Sequence, residues 1–148
     1  MKIKGYDPGL SIDSALMLPR DISLADSISA AVSDADYISI NIPYIKGEGG
    51  THHIIGSDTI SHLKKDAVLL NFARGELVDS VALKQFLDSG DGRYISDFPD
   101  DELWDHKNAV ILPHLGASTG EAEDEAVSFF SEKYHVFFVA NSNANHFF

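Results

Sequence analysis

The 148-residue sequence contains no cysteine, which excludes disulfide bonds and thiolate-bound metal ions. It also lacks any apolar run near the ~20 residues that a membrane-spanning helix needs. Residues 1–8 carry no apolar segment of the kind that a signal peptide contains. We therefore expect a cytoplasmic protein from a reducing compartment, without membrane contact.

Positive charge is scarce. Lysine and arginine together number 11 against 23 acidic residues, so the formal net charge is −12. A protein that binds nucleic acid needs a basic face to displace counterions, and the sequence indicates none. The acidic residues of segments 97–105 and 121–125 are typical of solvated surface. An anionic ligand would have to be held by one of the few arginines, which are Arg20, Arg74 and Arg93.

Short strands and helices alternate along the chain. Strands are predicted at residues 2–6, 37–42, 67–73, 93–98 and 109–112. Helices are predicted at residues 23–32, 58–65, 80–89 and 121–138, whereas residues 10–19 show no clear period. Three of the strands are nearly continuous apolar runs, as expected when both faces of a sheet are covered. The pattern predicts an α/β fold with a doubly wound parallel sheet.

Arg74 stands where the apolar run at residues 68–70 passes into a loop. In an open α/β sheet, ligands bind at the carboxyl ends of the strands. A guanidinium group can bind a carboxylate through two parallel hydrogen bonds. Arg74 is therefore a candidate for binding a small acid.

Other loop residues are candidates, each with a plainer alternative. Asp7 follows the first strand, where an acid can bind the ribose hydroxyls of NAD, but Asp-Pro is also an ordinary turn. His114 follows the last predicted strand and can exchange a proton near neutral pH. The alternative is a loop histidine without a catalytic role. A carboxylate of segment 97–102 could orient His114, or the segment is only solvated surface. No third ligand is suitably spaced from His52 and His53, so no metal site is predicted.

Several segments together resemble the NAD-dependent D-2-hydroxyacid dehydrogenases. They are GYDP, INIP, LLNFARGELVDSVAL, YISDFP and ILPHLGAST followed by EAEDEA, and they occur in this order between residues 5 and 127. The motifs most specific to this family are ARGxLVD and PHxGxST, at the separation that they have in this sequence. Within the family, the segments are most similar to the branch that acts on D-3-phosphoglycerate in serine biosynthesis. The resemblance implies that residues 1–148 are a partial Rossmann-like NAD-binding domain, with residues 120–148 a long C-terminal helix and tail.

The resemblance also implies a reaction and a role for each candidate. The reaction is hydride transfer between NAD and a D-2-hydroxy acid. Arg74 would bind the substrate carboxylate and keto oxygen, and His114 would be the general acid/base. Glu102 would be the carboxylate partner of His114, with Asp101 as the alternate. The adenosine ribose would be bound by Asp7. The nicotinamide half of the cofactor would contact Pro43, Phe72, Ala73, Arg74, His114, Gly116, Ala117 and either Asp97 or Ser96.

The family's glycine-rich turn, GxGxxG, precedes the strand that ends near Asp7, and this sequence starts after that point. We expect an incomplete sheet without its first strand, and weak or absent binding of NAD by this chain alone. The sheet would form two halves with free inner edges, so the strand at residues 2–6 would pair with the strand at residues 67–73 or with another chain. A second hypothesis is a non-catalytic remnant or dimerising module, inactive as an isolated chain. The family resemblance implies a homodimer, and the identity of the 2-hydroxy acid stays open.

Overall fold

The structure is a computed structural model that describes residues 2–114, 120, 121 and 124. The chain divides into two compact units, Met1–Pro113 and His114–Phe148, and the following strands and helices lie in the first. The strands are β1 Ile3–Gly5, β2 Ile22–Leu24, β3 Tyr37–Ile40, β4 Val68–Asn71, β5 Arg93–Ser96 and β6 Ala109–Ile111. The helices are α1 Ile12–Leu16, α2 Ile28–Val32, α3 Ser57–Ser61 and α4 Ser80–Ser89, with a 3-10 turn at Gly75–Leu77.

All the strand pairs are parallel. One sheet has the order β1-β2, and the other has the order β3-β4-β5-β6. In the larger sheet Ile40 lies opposite Asn71, which lies opposite Ser96. The carboxyl ends of β3, β4 and β5 therefore meet at one edge, together with the loops that follow them. This arrangement of parallel strands and helices confirms the predicted α/β fold of Rossmann type.

The sheet is interrupted between β1 and β3, as expected. Among the described residues β1 pairs only with β2 and β3 pairs only with β4, so each has one unpaired edge. The alternative in which the first strand closes against the strand at residues 67–73 is wrong for this part of the chain. Both edges of β4 are already occupied, by β3 on one side and β5 on the other.

The predicted helix at residues 23–32 is wrong in its first half. Its first residues instead belong to β2, where pairing with β1 satisfies backbone groups that a helix would have satisfied internally. The amide of Ala25 extends this pairing by donating to the Gly5 carbonyl at 2.8 Å. The helix begins later, after Ser27, whose hydroxyl accepts from the Ala30 amide at 3.1 Å. A similar serine cap, Ser11, starts the short helix α1 in the segment without a clear period.

The core of this unit lies around the larger sheet and helix α4. Leu69 of β4 and Leu83 and Leu87 of α4 are fully buried. Helix α4 is capped by Asp79, whose carboxylate accepts from the Val81 and Ala82 amides at 3.1 Å each. Val81, by contrast, is 57% exposed and lies outside this core.

Two further expectations concern longer helices. The helix predicted at residues 121–138 falls almost entirely outside the described residues. Within the described part of the chain, no helix is both long enough and apolar enough to cross a membrane.

Candidate functional site

Arg74 lies three residues beyond the end of β4, in an extended conformation just before the 3-10 turn. Its side chain is exposed, and one Nη1 hydrogen bond goes to the neighbouring Ala73 carbonyl at 3.1 Å. No carboxylate among the described residues lies within 4.0 Å of the guanidinium group. In a chain with a net charge of −12, the described residues thus leave this cation without an acidic partner.

The guanidinium group borders an open cavity of about 650 Å³ at the carboxyl ends of β3 and β4. The cavity is lined by Asn41, Ile42, Pro43, Tyr44, Ala73 and Arg74. Ligand sites of this kind combine apolar walls with a few polar groups that fix orientation. Here Pro43 and Ala73 provide apolar surface for a flat ring, and Arg74 provides the charge for a carboxylate.

Asn71, the last residue of β4, holds the turn that presents Arg74. Its side chain is fully buried, and its Nδ2 donates to the Arg74 carbonyl at 2.9 Å. Its Oδ1 accepts from the Ala73 amide at 3.2 Å. The same Nδ2 donates to the hydroxyl of Tyr94 on β5 at 3.2 Å. The sequence pattern did not indicate this role, because Tyr94 is distant along the chain and an Asn in a strand carries no motif of its own.

Tyr94 supports Asn71 from the neighbouring strand. Its side chain is almost completely buried, and this burial raises the pKa of the Tyr94 hydroxyl above its ordinary value, against the opposing effect of hydrogen bonds to Ser96 and Asn71. A neutral hydroxyl is therefore maintained next to the buried amide.

The end of β5 brings Ser96 and Asp97 to the same edge. Both residues are buried, and the Asp97 amide donates to the Asn71 carbonyl at 3.3 Å. The Ser96 hydroxyl accepts from the Phe98 amide at 3.2 Å. The loop after β5 is thereby fixed beside the Arg74 turn, and Ser96 and Asp97 both stay candidates for binding the nicotinamide carboxamide.

The acidic loop after β5 is organised by Asp100. Its carboxylate accepts from the Glu102 and Leu103 amides at 3.0 and 3.2 Å, and from the Ser80 hydroxyl at 2.5 Å. Asp100 therefore stabilises the loop and the start of α4. Asp101 and Glu102, the two candidates for a partner of His114, are both exposed.

Glu102 lies close to a cation of the same unit. Its Oε2 lies 3.4 Å from the Nζ of Lys84. His114 is exposed, has a positive φ of 58°, and begins the second unit. The predicted pairing of Glu102 with His114 joins residues of different units and stays a prediction.

The remaining candidates are dispersed. Asp7 follows β1 in the smaller sheet and is exposed, and its Oδ1 accepts from the Gly9 amide at 2.8 Å as in an ordinary Asp-Pro turn. Phe72 is 55% exposed beside the Arg74 turn. Gly116 and Ala117 lie outside the described residues. In the part of the chain that the structure describes, no group of three His, Asp or Glu side chains could hold a metal ion.

Residues 1–116 match the family model of the D-isomer specific 2-hydroxyacid dehydrogenase, NAD binding domain. The chain belongs to this family. Its cofactor is therefore NAD, and Pro43 and Ala73 in the cavity offer apolar surface that fits the nicotinamide ring of such a cofactor. When bound, NAD supplies the carbon atom that gives or accepts a hydride.

Similar proteins and structures support this membership. D-3-phosphoglycerate dehydrogenase of Methanocaldococcus jannaschii is 34% identical over 140 residues, covering 90% of this chain and 26% of that protein. A crystal structure of Rhodotorula graminis D-mandelate dehydrogenase has a TM-score of 0.72 and 25% identity, covering 86% of this chain and 38% of that one. The NAD-complexed D-isomer specific 2-hydroxyacid dehydrogenase of Lactobacillus delbrueckii has a TM-score of 0.67 and 25% identity, covering 86% and 43%. The chain thus spans about a quarter of the length of the curated relative.

Proposed function

We propose that this chain forms the NAD-binding part of an oxidoreductase that transfers a hydride between NAD and C2 of a D-2-hydroxy acid. The observation that carries the proposal is the exposed guanidinium group of Arg74, without an acidic neighbour in the described residues, in a cavity at the strand ends of an NAD-binding domain. A 2-hydroxy acid presents a carboxylate that this group can bind through two hydrogen bonds.

Each candidate residue then has a task. Arg74 neutralises the substrate carboxylate and orients the C2 oxygen. His114 takes the hydroxyl proton during oxidation and returns it during reduction, with Glu102 or Asp101 orienting its ring. Asp7 binds the adenosine ribose. The nicotinamide half contacts Pro43, Phe72, Ala73, Gly116, Ala117 and either Asp97 or Ser96.

For the substrate we propose D-3-phosphoglycerate, which places the protein in serine biosynthesis. The support is that the relatives of about 30–34% identity include D-3-phosphoglycerate dehydrogenases from an archaeon, a plant and bacteria. We further propose a homodimer in the cytoplasm. None of these assignments requires a nucleic acid or a membrane as a partner.

The test is equilibrium binding of oxamate, an unreactive analogue of a 2-oxo acid, in the presence of NADH, followed by NMR of the 15N-labelled chain. Arg74→Lys keeps the charge but loses the bidentate geometry, so we expect affinity to fall about tenfold to a hundredfold, from the loss of one charged hydrogen bond worth about 1.5–3 kcal/mol. Arg93→Lys, at an exposed arginine on β5, is the matched control and should bind like the unmodified chain. Equal affinity of the Arg74→Lys chain would contradict the assignment.

A second candidate function is a non-catalytic module of the same fold. The observation that favours it is the pair of unpaired strand edges on β1 and β3, which suits association with another chain. Reduction of glyoxylate with NADH deuterated at C4 distinguishes the two functions when protein is present in stoichiometric amounts. Deuterium at C2 of the glycolate product supports the oxidoreductase if the Arg74→Lys chain does not transfer it. Binding of both ligands without deuterium transfer supports the module.

A further inference from the structure

Three rings contact one another in a row on the loop that follows β3, and this row is called the stack below. Tyr44 meets His52 edge to face, with ring centroids 5.9 Å apart and planes at 61°. His52 and His53 are stacked, with centroids 3.9 Å apart and planes at 21°. The Tyr44 hydroxyl lies 3.4 Å from Nδ1 of His52. Tyr44 also lines the Arg74 cavity, although no role follows for it from the motifs of the sequence.

The loop that carries Tyr44 is closed at its base by Thr51. The Thr51 hydroxyl donates to the Pro43 carbonyl at 2.8 Å and accepts from the Ile45 amide at 2.7 Å. The Thr51 amide donates to the Ile45 carbonyl at 2.9 Å. A side chain at Gly50 would place its Cβ 2.2 Å from the same carbonyl, so only glycine fits there. Tyr44 is therefore presented on a loop with a defined conformation.

The other end of the stack is attached to the segment that follows Arg74. The His53 amide donates to the Glu76 carbonyl at 3.0 Å. The adjoining Ile55 forms a parallel bridge with Val78, in which the Ile55 amide donates to the Leu77 carbonyl at 3.0 Å. Because of these bonds, His52 and His53 hold a fixed position relative to the Arg74 turn, and the stack connects the two loops that line the cavity.

We propose that Tyr44 is a second ligand-binding residue of the Arg74 cavity and that His52 is its positioning residue. The Tyr44 hydroxyl donates a hydrogen bond to an oxygen of the bound 2-oxo or 2-hydroxy acid. The class of ligand rests on the proposed function, whereas the position of Tyr44 rests on the cavity and the stack.

The hydrogen bond between the Tyr44 hydroxyl and Nδ1 of His52 determines where the phenol proton points. If Nδ1 of His52 accepts from the phenol, Tyr44 turns only lone pairs towards the cavity, and these repel a carboxylate. If Nδ1 carries the proton, it donates to the phenol oxygen, and the phenol proton is free to point at the anion. An anionic ligand therefore selects the form of His52 that is protonated on Nδ1.

The test uses the 148-residue chain, 15N-labelled, titrated with oxamate, an unreactive analogue of a 2-oxo acid, in the presence of NADH. Tyr44→Phe keeps the ring contact with His52 and removes only the hydroxyl. We expect its oxamate affinity to fall about tenfold, as for the loss of a hydrogen bond to a charged group. Tyr37→Phe removes a hydroxyl from a tyrosine that is 70% exposed on β3, and it should leave the affinity unchanged.

A second variant separates positioning from packing. His52→Phe keeps an aromatic ring beside Tyr44 but removes Nδ1, and we expect a smaller loss, about threefold to tenfold. In the double variant with Tyr44→Phe, the loss should equal that of Tyr44→Phe alone, because His52 acts through the hydroxyl. The 15N shifts of His52 should also move towards the Nδ1-protonated form when oxamate binds to the unmodified chain.

The outcomes separate this inference from the proposed function. Unchanged affinity in Tyr44→Phe, alongside a loss in Arg74→Lys, overturns the role of Tyr44 and leaves the proposed function standing. Additive losses in the double variant overturn the positioning role of His52. Absence of oxamate binding to the unmodified chain, or binding that is insensitive to Arg74→Lys, overturns the proposed function and this inference with it.

Discussion

Replacement of Asn71 by alanine should destabilise the fold and loosen the Arg74 turn. The fully buried side chain makes hydrogen bonds of 2.9, 3.2 and 3.2 Å, to the Arg74 carbonyl, the Ala73 amide and the Tyr94 hydroxyl. A typical net contribution of about 0.5–1.5 kcal/mol per bond gives a total loss of about 3 kcal/mol in the free energy of unfolding. The loss stays below the upper limit because water can reach the groups of Ala73 and Arg74 at the surface.

Urea unfolding followed by circular dichroism measures this loss. With a slope of about 2 kcal/mol/M, a change of about 3 kcal/mol lowers the midpoint by about 1.5 M. Tyr94→Phe is the matched control, since it removes the bonds of the Tyr94 hydroxyl to Asn71 and Ser96 but keeps those of Asn71 to Ala73 and Arg74, and it should cost about 1–2 kcal/mol. If Asn71→Ala costs no more than Tyr94→Phe, the bonds to Ala73 and Arg74 carry no stability and the reasoning is refuted.

Other predictions follow from individual contacts. Asp79→Ala removes the cap of α4 and should lower the free energy of unfolding by about 1 kcal/mol in urea, an expectation that an unchanged midpoint would contradict. Tyr94 has a raised pKa in the folded chain, so the unfolded chain loses this proton first and stability should fall as pH rises above about 10. Urea midpoints at pH 8 and 11 measure this fall, which should be smaller in Tyr94→Phe. Arg74→Lys should leave the melting temperature unchanged, because Arg74 is an exposed loop residue, and a large drop in scanning calorimetry would indicate a structural role.

The parts of the fold that are predictable from the sequence have strong local signals. The strands β3 and β4 coincide with largely apolar runs, although only β4 is buried or half-buried along its whole length, since Tyr37 and Ser39 of β3 are exposed. Helix α4 is marked at both ends, by Asp79 as its cap and by Gly90 after its last residue. Such features depend on residues close together in the chain.

The parts that are not predictable depend on distant partners. The strand β2 comprises three residues that pair with β1, and its apolar spacing is compatible with a helix until that partner is known. The bond between Asn71 and Tyr94 crosses from β4 to β5, and no periodic pattern indicates it. The edge-to-face contact of Tyr44 with His52 depends on the loop that the Thr51 hydroxyl closes by its bonds to Pro43 and Ile45, and no sequence motif indicates those bonds.

The candidate site likewise contains residues whose positions are predictable from the sequence and residues whose positions are not. Arg74, Pro43 and Ala73 follow two adjacent strands, and the parallel register is sufficient to place them around one cavity. Asp7 lies at the end of a strand in the other sheet, so its position depends on what occupies the free edges of β1 and β3. The roles of these residues in binding stay predictions.

The proposed function requires that the nicotinamide end of NAD binds in the cavity between the loops after β3 and β4. The most direct measurement is an isotope-filtered nuclear Overhauser experiment on the 13C-labelled chain with millimolar NADH, conditions that also detect weak binding. We predict contacts from the nicotinamide protons to the Ala73 methyl group and the Pro43 ring. Contacts to neither residue, with nicotinamide contacts found only elsewhere on the chain or not at all, would contradict the claim.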